Sequence, residues 1–146
     1  MAWTVSGLYV LTFIDVLDTT QLALDLDLET HKIALYNNTD TPNFSTETGY
    51  SATNEVTGTN WAAGGVVLTT TTVTESPTGS LMWDAADVSV ASTTLTGVRG
   101  SKLYADALAG NNLIVGVNFG ADYSTSNGTF GVQWASGGIF AIDLTP

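Results

Sequence analysis

The chain has one histidine and no cysteine, so few of its side chains could act as a general base or a strong nucleophile. A serine or threonine nucleophile needs a base beside it, and His31 is the only histidine that could serve. No serine is surrounded by a nucleophile-elbow pattern, and His31 lies between two segments that are predicted as strands. We therefore predict that His31 is a turn residue and that the protein is not an enzyme.

Three acidic residues at alternate positions, Asp25, Asp27 and Glu29, look like the start of a calcium-binding loop. An EF-hand loop would need a glycine where this chain has Thr30 and a glutamate where it has Tyr36. On a strand the three carboxylates would share a face, about 7 Å from one to the next, which is too far apart to hold one ion. The spacing therefore predicts a solvated strand face, with no metal and no cofactor.

Asp84 and Asp87 lie close to Trp83 in the sequence, as two glycosidase carboxylates might lie beside a sugar-stacking ring. The spacing is not diagnostic, because carboxylates near strand ends more often cap turns. Tryptophans are also more often core or interface anchors than sugar platforms. Hydrolysis of a cell-wall polymer is therefore the least favoured function for this chain.

The overall composition indicates one folded domain, residues 1–146, with an acidic surface. Hydrophobic residues make up 44% of the chain and charged residues only 12%, so a core can form without many ion pairs. The formal net charge is −11, with 14 acidic and 3 basic residues. A phosphate backbone or an anionic lipid surface would repel such a chain, so we predict neither nucleic acid nor membrane as a partner.

The N-terminal segment is predicted to be the one helical element. Within residues 6–18, apolar residues follow the spacing of a buried helical stripe, and Ser6 could cap the helix: they are Val10, Phe13, Ile14 and Leu17. The terminus has no basic region ahead of a cleavage site, and the apolar run 8–17 is too short for a bilayer. We therefore expect no signal peptide and a chain that is made in the cytoplasm.

The rest of the sequence alternates with a period of two, which indicates strands. Leucines at 22, 24, 26 and 28 alternate with small or acidic residues, and further short strands are predicted at 66–73, 81–83, 88–90, 95–98, 102–104, 113–119, 130–134 and 140–144. Asn127-Gly128 is a signal for a tight turn between two of them. The pattern predicts an all-β fold, a β-sandwich or jelly roll, with one short N-terminal helix.

Several segments of the sequence also resemble a known protein family. Residues 54–65 read Asn-Glu-Val-Thr-Gly-Thr-Asn-Trp-Ala-Ala-Gly-Gly, which resembles the N-E-V-x-G-T-x-Y/W-x-x-G-G stretch of small tailed-bacteriophage virion proteins of the capsid decoration or minor head type. Segments at 32–36, 41–42, 84–88 and 118–134 resemble the same family in the same order. The sequence departs from the family between Arg99 and Gly110, which leaves the strand pairing there open.

The resemblance implies a virion structural protein. A decoration (cement) protein on the outside of the head is favoured over a tail or fibre module that binds a receptor or glycan, because fibres usually carry long repetitive shafts. The implied partners are the major capsid protein and copies of the chain itself, most simply as a trimer on the capsid exterior. The protein would be made in the host cytoplasm.

Residues 1–17 are the segment predicted to make these contacts. An apolar arm at the terminus could lie on a neighbouring subunit, and its largest apolar residues are the candidate capsid or subunit contacts: Trp3, Leu8, Tyr9, Leu11 and Phe13. The alternative is that the same residues complete the core of their own domain.

Overall fold

A computed structural model describes residues 3–76 and 78–145, and the described residues form one helix and eight strands. In chain order they are β1 (Gly7–Leu8), α1 (Val10–Leu17), β2 (His31–Asn37), β3 (Val66–Val67), β4 (Thr72–Glu75), β5 (Ser80–Asp84), β6 (Val88–Ala105), β7 (Leu113–Val132) and β8 (Phe140–Asp143). The prediction of an all-β, sandwich-like fold with one short helix is confirmed.

The strands form two antiparallel sheets. The large sheet has the order β1-β7-β6-β2-β3, and the small sheet has the order β4-β5-β8. In the large sheet Ile33 of β2 lies opposite Leu103 of β6, and Leu103 lies opposite Val115 of β7. These three residues point to the same face and belong to a hydrophobic cluster that also contains Trp83 of the small sheet. One core therefore joins the two sheets.

Strands β6 and β7 form one long curved ribbon, where several short strands were predicted. Their pairing runs from Val88 opposite Val132 to Tyr104 opposite Leu113, with five shifts of register. The prediction that Asn127-Gly128 is a tight turn is wrong. Asn127 has a positive φ of 49°, but it lies inside β7, where Gly128 pairs with Thr93 across a register shift. A bulge uses the same left-handed backbone as a turn without reversing the chain.

The other face of the large sheet is also covered. Ala34, Tyr36 and Tyr104 point to this second face, where Trp3 and Tyr9 complete a smaller buried cluster. Phe44 and Tyr50, from the loop after β2, pack against the same cluster. The N-terminal segment and this loop therefore form the second layer over the large sheet.

Helix α1 is present, but of the predicted stripe only Phe13 packs against the core. Val10, Ile14 and Leu17 are exposed, whereas Thr12 is buried and its hydroxyl donates to the carbonyl oxygen of Leu113 at 2.6 Å. Ser6 does not cap the helix; its hydroxyl accepts a hydrogen bond from the backbone N–H of Asn118. A polar anchor on β7 thus sets the rotation of the helix.

The strand predicted at residues 22–28 is absent. Leu22, Leu24 and Leu26 are half-buried and the residues between them are exposed, so the predicted alternation of faces holds. The segment has no strand pairing among the described residues, and it ends in a turn in which Asp25 Oδ1 accepts the N–H groups of Asp27 and Leu28. An alternating pattern of apolar residues indicates that one side of a segment is buried. It does not require that the segment pairs with a neighbouring strand.

Candidate interaction surface and buried polar clusters

The exposed side of the N-terminal segment is apolar. Val10, Ile14 and Leu17 follow one another at the i, i+4, i+7 spacing of a helix face, and their exposed fractions are 43%, 47% and 85%. Val5, ahead of the helix, is also exposed. We call Val10, Ile14 and Leu17 the outer face of α1. It is a candidate contact surface for another protein, because apolar stripes on a helix normally face a partner or a core.

The five contact residues predicted from the sequence lie elsewhere. Trp3 and Tyr9 are buried in the second-face cluster, and the ring of Tyr9 lies 5.0 Å from that of Phe44. Leu8, Leu11 and Phe13 are half-buried, and Phe13 meets Phe140 edge to face at 6.0 Å. The segment therefore contributes to the core of its own chain, as the alternative expected. Trp3 and Tyr9 have almost no surface to offer a partner in this fold.

The motif at residues 54–65 forms a loop that is fastened across the large sheet. Glu55 accepts two hydrogen bonds, from the backbone N–H of Gly64 at 2.8 Å and from the hydroxyl of Tyr50 at 2.7 Å. The hydroxyl of Tyr104 donates to the carbonyl oxygen of Gly64, and Trp61 is fully buried in the main core. The polar residues of the motif thus bind other parts of the same chain.

The glycines of this motif are required by close backbone approach. A Cβ on Gly58 would collide with the carbonyl oxygen of Thr94, and a Cβ on Gly65 would collide with that of Ile33. Gly65 also has a φ of +77°, which side chains rarely adopt. Close backbone approach therefore explains Gly58 and Gly65 without any ligand or partner.

A buried ion cluster lies under the loop that follows β2. Lys102 of β6 points to the second face, and its Nζ donates to Asp40 Oδ1 at 3.2 Å and to Glu47 Oε2 at 3.0 Å. The same nitrogen lies 4.6 Å from the centre of the Tyr36 ring. Burial raises the pKa of Asp40, although the nearby Lys102 acts in the opposite direction. We call these three residues, Lys102, Asp40 and Glu47, the Lys102 cluster.

Sequence reasoning missed this cluster, although one signal was present. Lys102 interrupts the otherwise uncharged stretch 101–105, all of which is buried. A lysine in such a strand must find an anion, because an unpaired buried charge is very costly. The positions of Asp40 and Glu47 in a loop rich in threonine and asparagine gave no periodic pattern that could link them to it.

An aromatic cleft opens on the outer half of β7. Its cavity of about 440 Å³ is lined by aromatic rings and hydroxyl or amide side chains, among them Phe119, Tyr123, Ser124, Thr125, Thr129 and Gln133. The ring of Tyr123, which is 50% exposed, meets the ring of Phe119 edge to face at 6.4 Å. Rings beside hydroxyl groups are a combination that can bind a polar ligand with apolar faces.

His31 is a core residue, so the prediction of a turn residue is wrong. It is the first residue of β2, it is fully buried, and its ring meets the ring of Trp83 edge to face at 5.3 Å. Neither ring nitrogen has a hydrogen-bond partner among the described residues, although Nε2 lies 3.4 Å from Glu29 Oε1. Burial lowers the pKa of His31 and raises the pKa of Glu29.

Asp84 and Asp87 each accept a hydrogen bond from the backbone. Asp84 Oδ1 accepts the N–H of Ala85, and Asp87 Oδ1 accepts the N–H of Trp134 at 2.9 Å. Asp84 thus bonds its own neighbour, as a turn cap does, whereas Asp87 fastens its segment to Trp134, 47 positions later in the chain. Within residues 3–76 and 78–145, no group of three or more histidine, cysteine, aspartate or glutamate side chains could hold a metal ion.

Helix α1, with eight residues, is far shorter than a bilayer-crossing helix, and the described part of the chain contains no helix that could cross a membrane. Comparisons with protein-family models, with curated proteins and with solved structures find no match to this chain.

Proposed function

We propose that the protein is a structural component of a bacteriophage virion, a decoration protein that binds the outer surface of the head through the outer face of α1. The observation that carries this proposal is the exposed apolar stripe of Val10, Ile14 and Leu17 on a chain with a net charge of −11. These three aliphatic side chains lie together on one helix face, so a partner surface that covered them would remove their apolar area from water.

The energetics favour a helix-in-groove contact. Burying apolar surface is worth about 25 cal/mol per Å², so three aliphatic side chains supply on the order of 3 kcal/mol when a groove covers them. One such contact is weak alone. A trimer that engages three neighbouring capsid subunits would multiply it, because each further contact forms at high effective concentration.

The charge supports an exterior location. The acidic surface would be repelled by packaged DNA, and the resemblance of residues 54–65 to virion proteins indicates the particle itself. Contacts formed only in the assembled lattice would stabilise that lattice, which is the action of a cement protein.

The test uses phage heads assembled without the protein and compares binding of purified variants by sedimentation. The double substitution Ile14→Ser and Leu17→Ser should reduce head occupancy at least about tenfold, the equivalent of 1.4 kcal/mol. Leu144→Ser is the matched control, because Leu144 is also an exposed leucine, 69% accessible, at the opposite end of the chain. Circular dichroism should be unchanged in all variants. Equal occupancy by the double variant and the wild type would contradict the proposal.

A second candidate function, a tail or fibre module that binds a host-surface glycan, is favoured by the aromatic cleft. The exposed ring of Tyr123 could stack on a sugar face, while Ser124 and Gln133 could bond its hydroxyl groups. Titration of soluble oligosaccharides, followed through the fluorescence of the chain, tests this function. Saturable binding that Tyr123→Ala abolishes would favour it over decoration, whereas binding that survives in Tyr123→Ala would place the sugar elsewhere.

A further inference from the structure

The Lys102 cluster differs from the other lysine ion pair in its burial. The Lys102 and Asp40 side chains are 6% and 8% exposed, whereas Lys32 and Asp106, which pair at 3.0 Å, are 28% and 32% exposed. Nζ of Lys102 lies within 3.2 Å of both carboxylate oxygens of Asp40. A primary amine and a carboxyl group are therefore held together away from water, with the carboxylate of Glu47 beside them.

We propose that Lys102 and Asp40 condense to form an intramolecular isopeptide bond, with Glu47 as the base that transfers the proton. This inference rests on the geometry of the cluster and does not depend on the proposed function. It assigns a covalent modification to a chain that has no cysteine for disulfides.

The reaction needs no cofactor or oxidant. Glu47 takes a proton from the ammonium group of Lys102, and the neutral Nζ attacks Cγ of Asp40 to form the N–C bond. Glu47 passes that proton to one Asp40 oxygen and then carries a second proton from the nitrogen to the same oxygen, so the C–O bond breaks to release water and the nitrogen keeps one hydrogen. One ammonium and one carboxylate thus become one amide and one water molecule, and Glu47 returns to its starting state.

Two features of the site favour this step. Burial raises the pKa of Asp40, which favours the protonated carboxyl group that condensation requires. The fold also holds the amine of Lys102 and the carboxyl group of Asp40 in contact. The two groups therefore react at a high effective concentration and need no bimolecular encounter.

The bond would fasten the covering loop to the large sheet. Asp40 and Lys102 are 62 positions apart in the sequence, so a covalent link between them would restrict the unfolded chain in the way that a disulfide does. It would hold in place the layer that contains Phe44 and Tyr50 over the second face.

The test is the intact mass of the purified full chain, measured under denaturing conditions. We expect a mass lower than that of the sequence by one water molecule, and a branched peptide that joins Lys102 to Asp40 after proteolysis. A full mass in the wild-type protein, fresh and after prolonged incubation, would overturn the proposal. This measurement uses only the wild-type protein, so its result does not depend on whether any variant folds.

Variants then locate the bond and the base. Asp40→Ala and Glu47→Gln should each show the full mass, while Asp106→Ala, which removes the exposed partner of Lys32, should still lack one water. If the loss of water persisted in Asp40→Ala, or if the branched peptide joined other residues, the assignment to Lys102 and Asp40 would be wrong. If the Glu47→Gln protein still lacked one water molecule, Glu47 would not be the base in this reaction.

Discussion

Tyrosines are concentrated on the second face of the large sheet, and their buried phenols make the fold sensitive to alkali. Burial raises the pKa of Tyr9, Tyr36 and Tyr104, and it raises the pKa of Tyr50 to about 12. Ionisation of these hydroxyl groups therefore disfavours the folded state. In the unfolded chain a tyrosine ionises at a pKa of about 10. The stability that these groups contribute is therefore complete below that pH and is lost as the pH rises toward the folded pKa values.

We predict that the protein unfolds cooperatively between about pH 10 and pH 12, and that its buried tyrosines ionise in the same transition. The measurement is tyrosinate absorbance and far-UV circular dichroism on one alkaline titration, in the variant Tyr123→Phe. That substitution removes the one exposed tyrosine of the five from the absorbance signal. Ionisation of all four near pH 10 with unchanged circular dichroism would contradict the burial described here.

His31, in contrast, makes the stability of the fold sensitive to acid. Burial lowers its pKa, so the unfolded chain binds a proton more readily than the folded one. Its contribution to stability is complete above the unfolded pKa of about 6.5 and is lost as the pH falls. Asp40 and Glu29 act in the other direction, because their pKa values are raised and their protonated forms favour the folded state.

We predict that His31→Phe flattens the pH dependence of stability below pH 7. Phenylalanine keeps the edge contact with Trp83 and cannot take a proton, so the free energy of unfolding should fall less between pH 7 and pH 5 than in the wild type. Urea unfolding at each pH measures the difference. His31 is the only histidine, so no other imidazole contributes to it. Equal slopes in the two proteins would show that His31 is hydrated in the folded state.

At the scale of elements, the sequence predicted which segments are extended better than it predicted how they pair. Segments 113–119 and 130–134 were predicted as separate strands, yet 113–119 and 130–132 belong to one continuous strand, β7. Bulges keep a long ribbon curved over the core, and the left-handed residues that make them, such as Asn127 and Gly120, look like turns in a sequence. Helix α1 was placed correctly, but its apolar pattern did not predict that Thr12 would lie on the buried side, bonded to β7.

The candidate surfaces were harder to predict, because each depends on residues that are distant in the sequence. The Lys102 cluster joins β6 to a loop that lies more than fifty positions earlier in the sequence. The outer face of α1 could be identified only from the structure, in which Tyr9 and Thr12 lie on the buried side of the segment. The motif at 54–65 was identified only through its resemblance to a family, and the structure explains Gly58 and Gly65 within it by close backbone approach.

We predict that Gly65→Ala destabilises the protein by at least about 3 kcal/mol, because the new Cβ would meet the backbone of β2 and Gly65 has a positive φ. Gly137→Ala is the matched control, since a Cβ there meets no atom within 4 Å and the substitution should change stability by about 0.5 kcal/mol or less. Chemical denaturation measures both values. A small effect at Gly65 would mean that the loop can lift from the sheet without loss of the core.

At the scale of the whole molecule, the dominant property is charge. With a net charge of −11 on 146 residues, copies of the chain repel one another, and the acidic groups of each copy repel among themselves. Added salt screens both effects, since the Debye length falls from about 30 Å at 0.01 M to about 8 Å at 0.15 M. The outer face of α1 carries no charge, so a contact made through it depends little on ionic attraction.

This contrast gives a prediction for the proposed docking. If the chain binds the head through the outer face of α1, raising NaCl from 0.01 M to 0.15 M should increase occupancy, because screening reduces repulsion between neighbouring copies while the apolar contact persists. Occupancy of phage heads across a salt series measures this. An acidic chain that was held by a basic capsid surface would instead dissociate as salt increases, and binding of that kind would exclude α1 as the main contact.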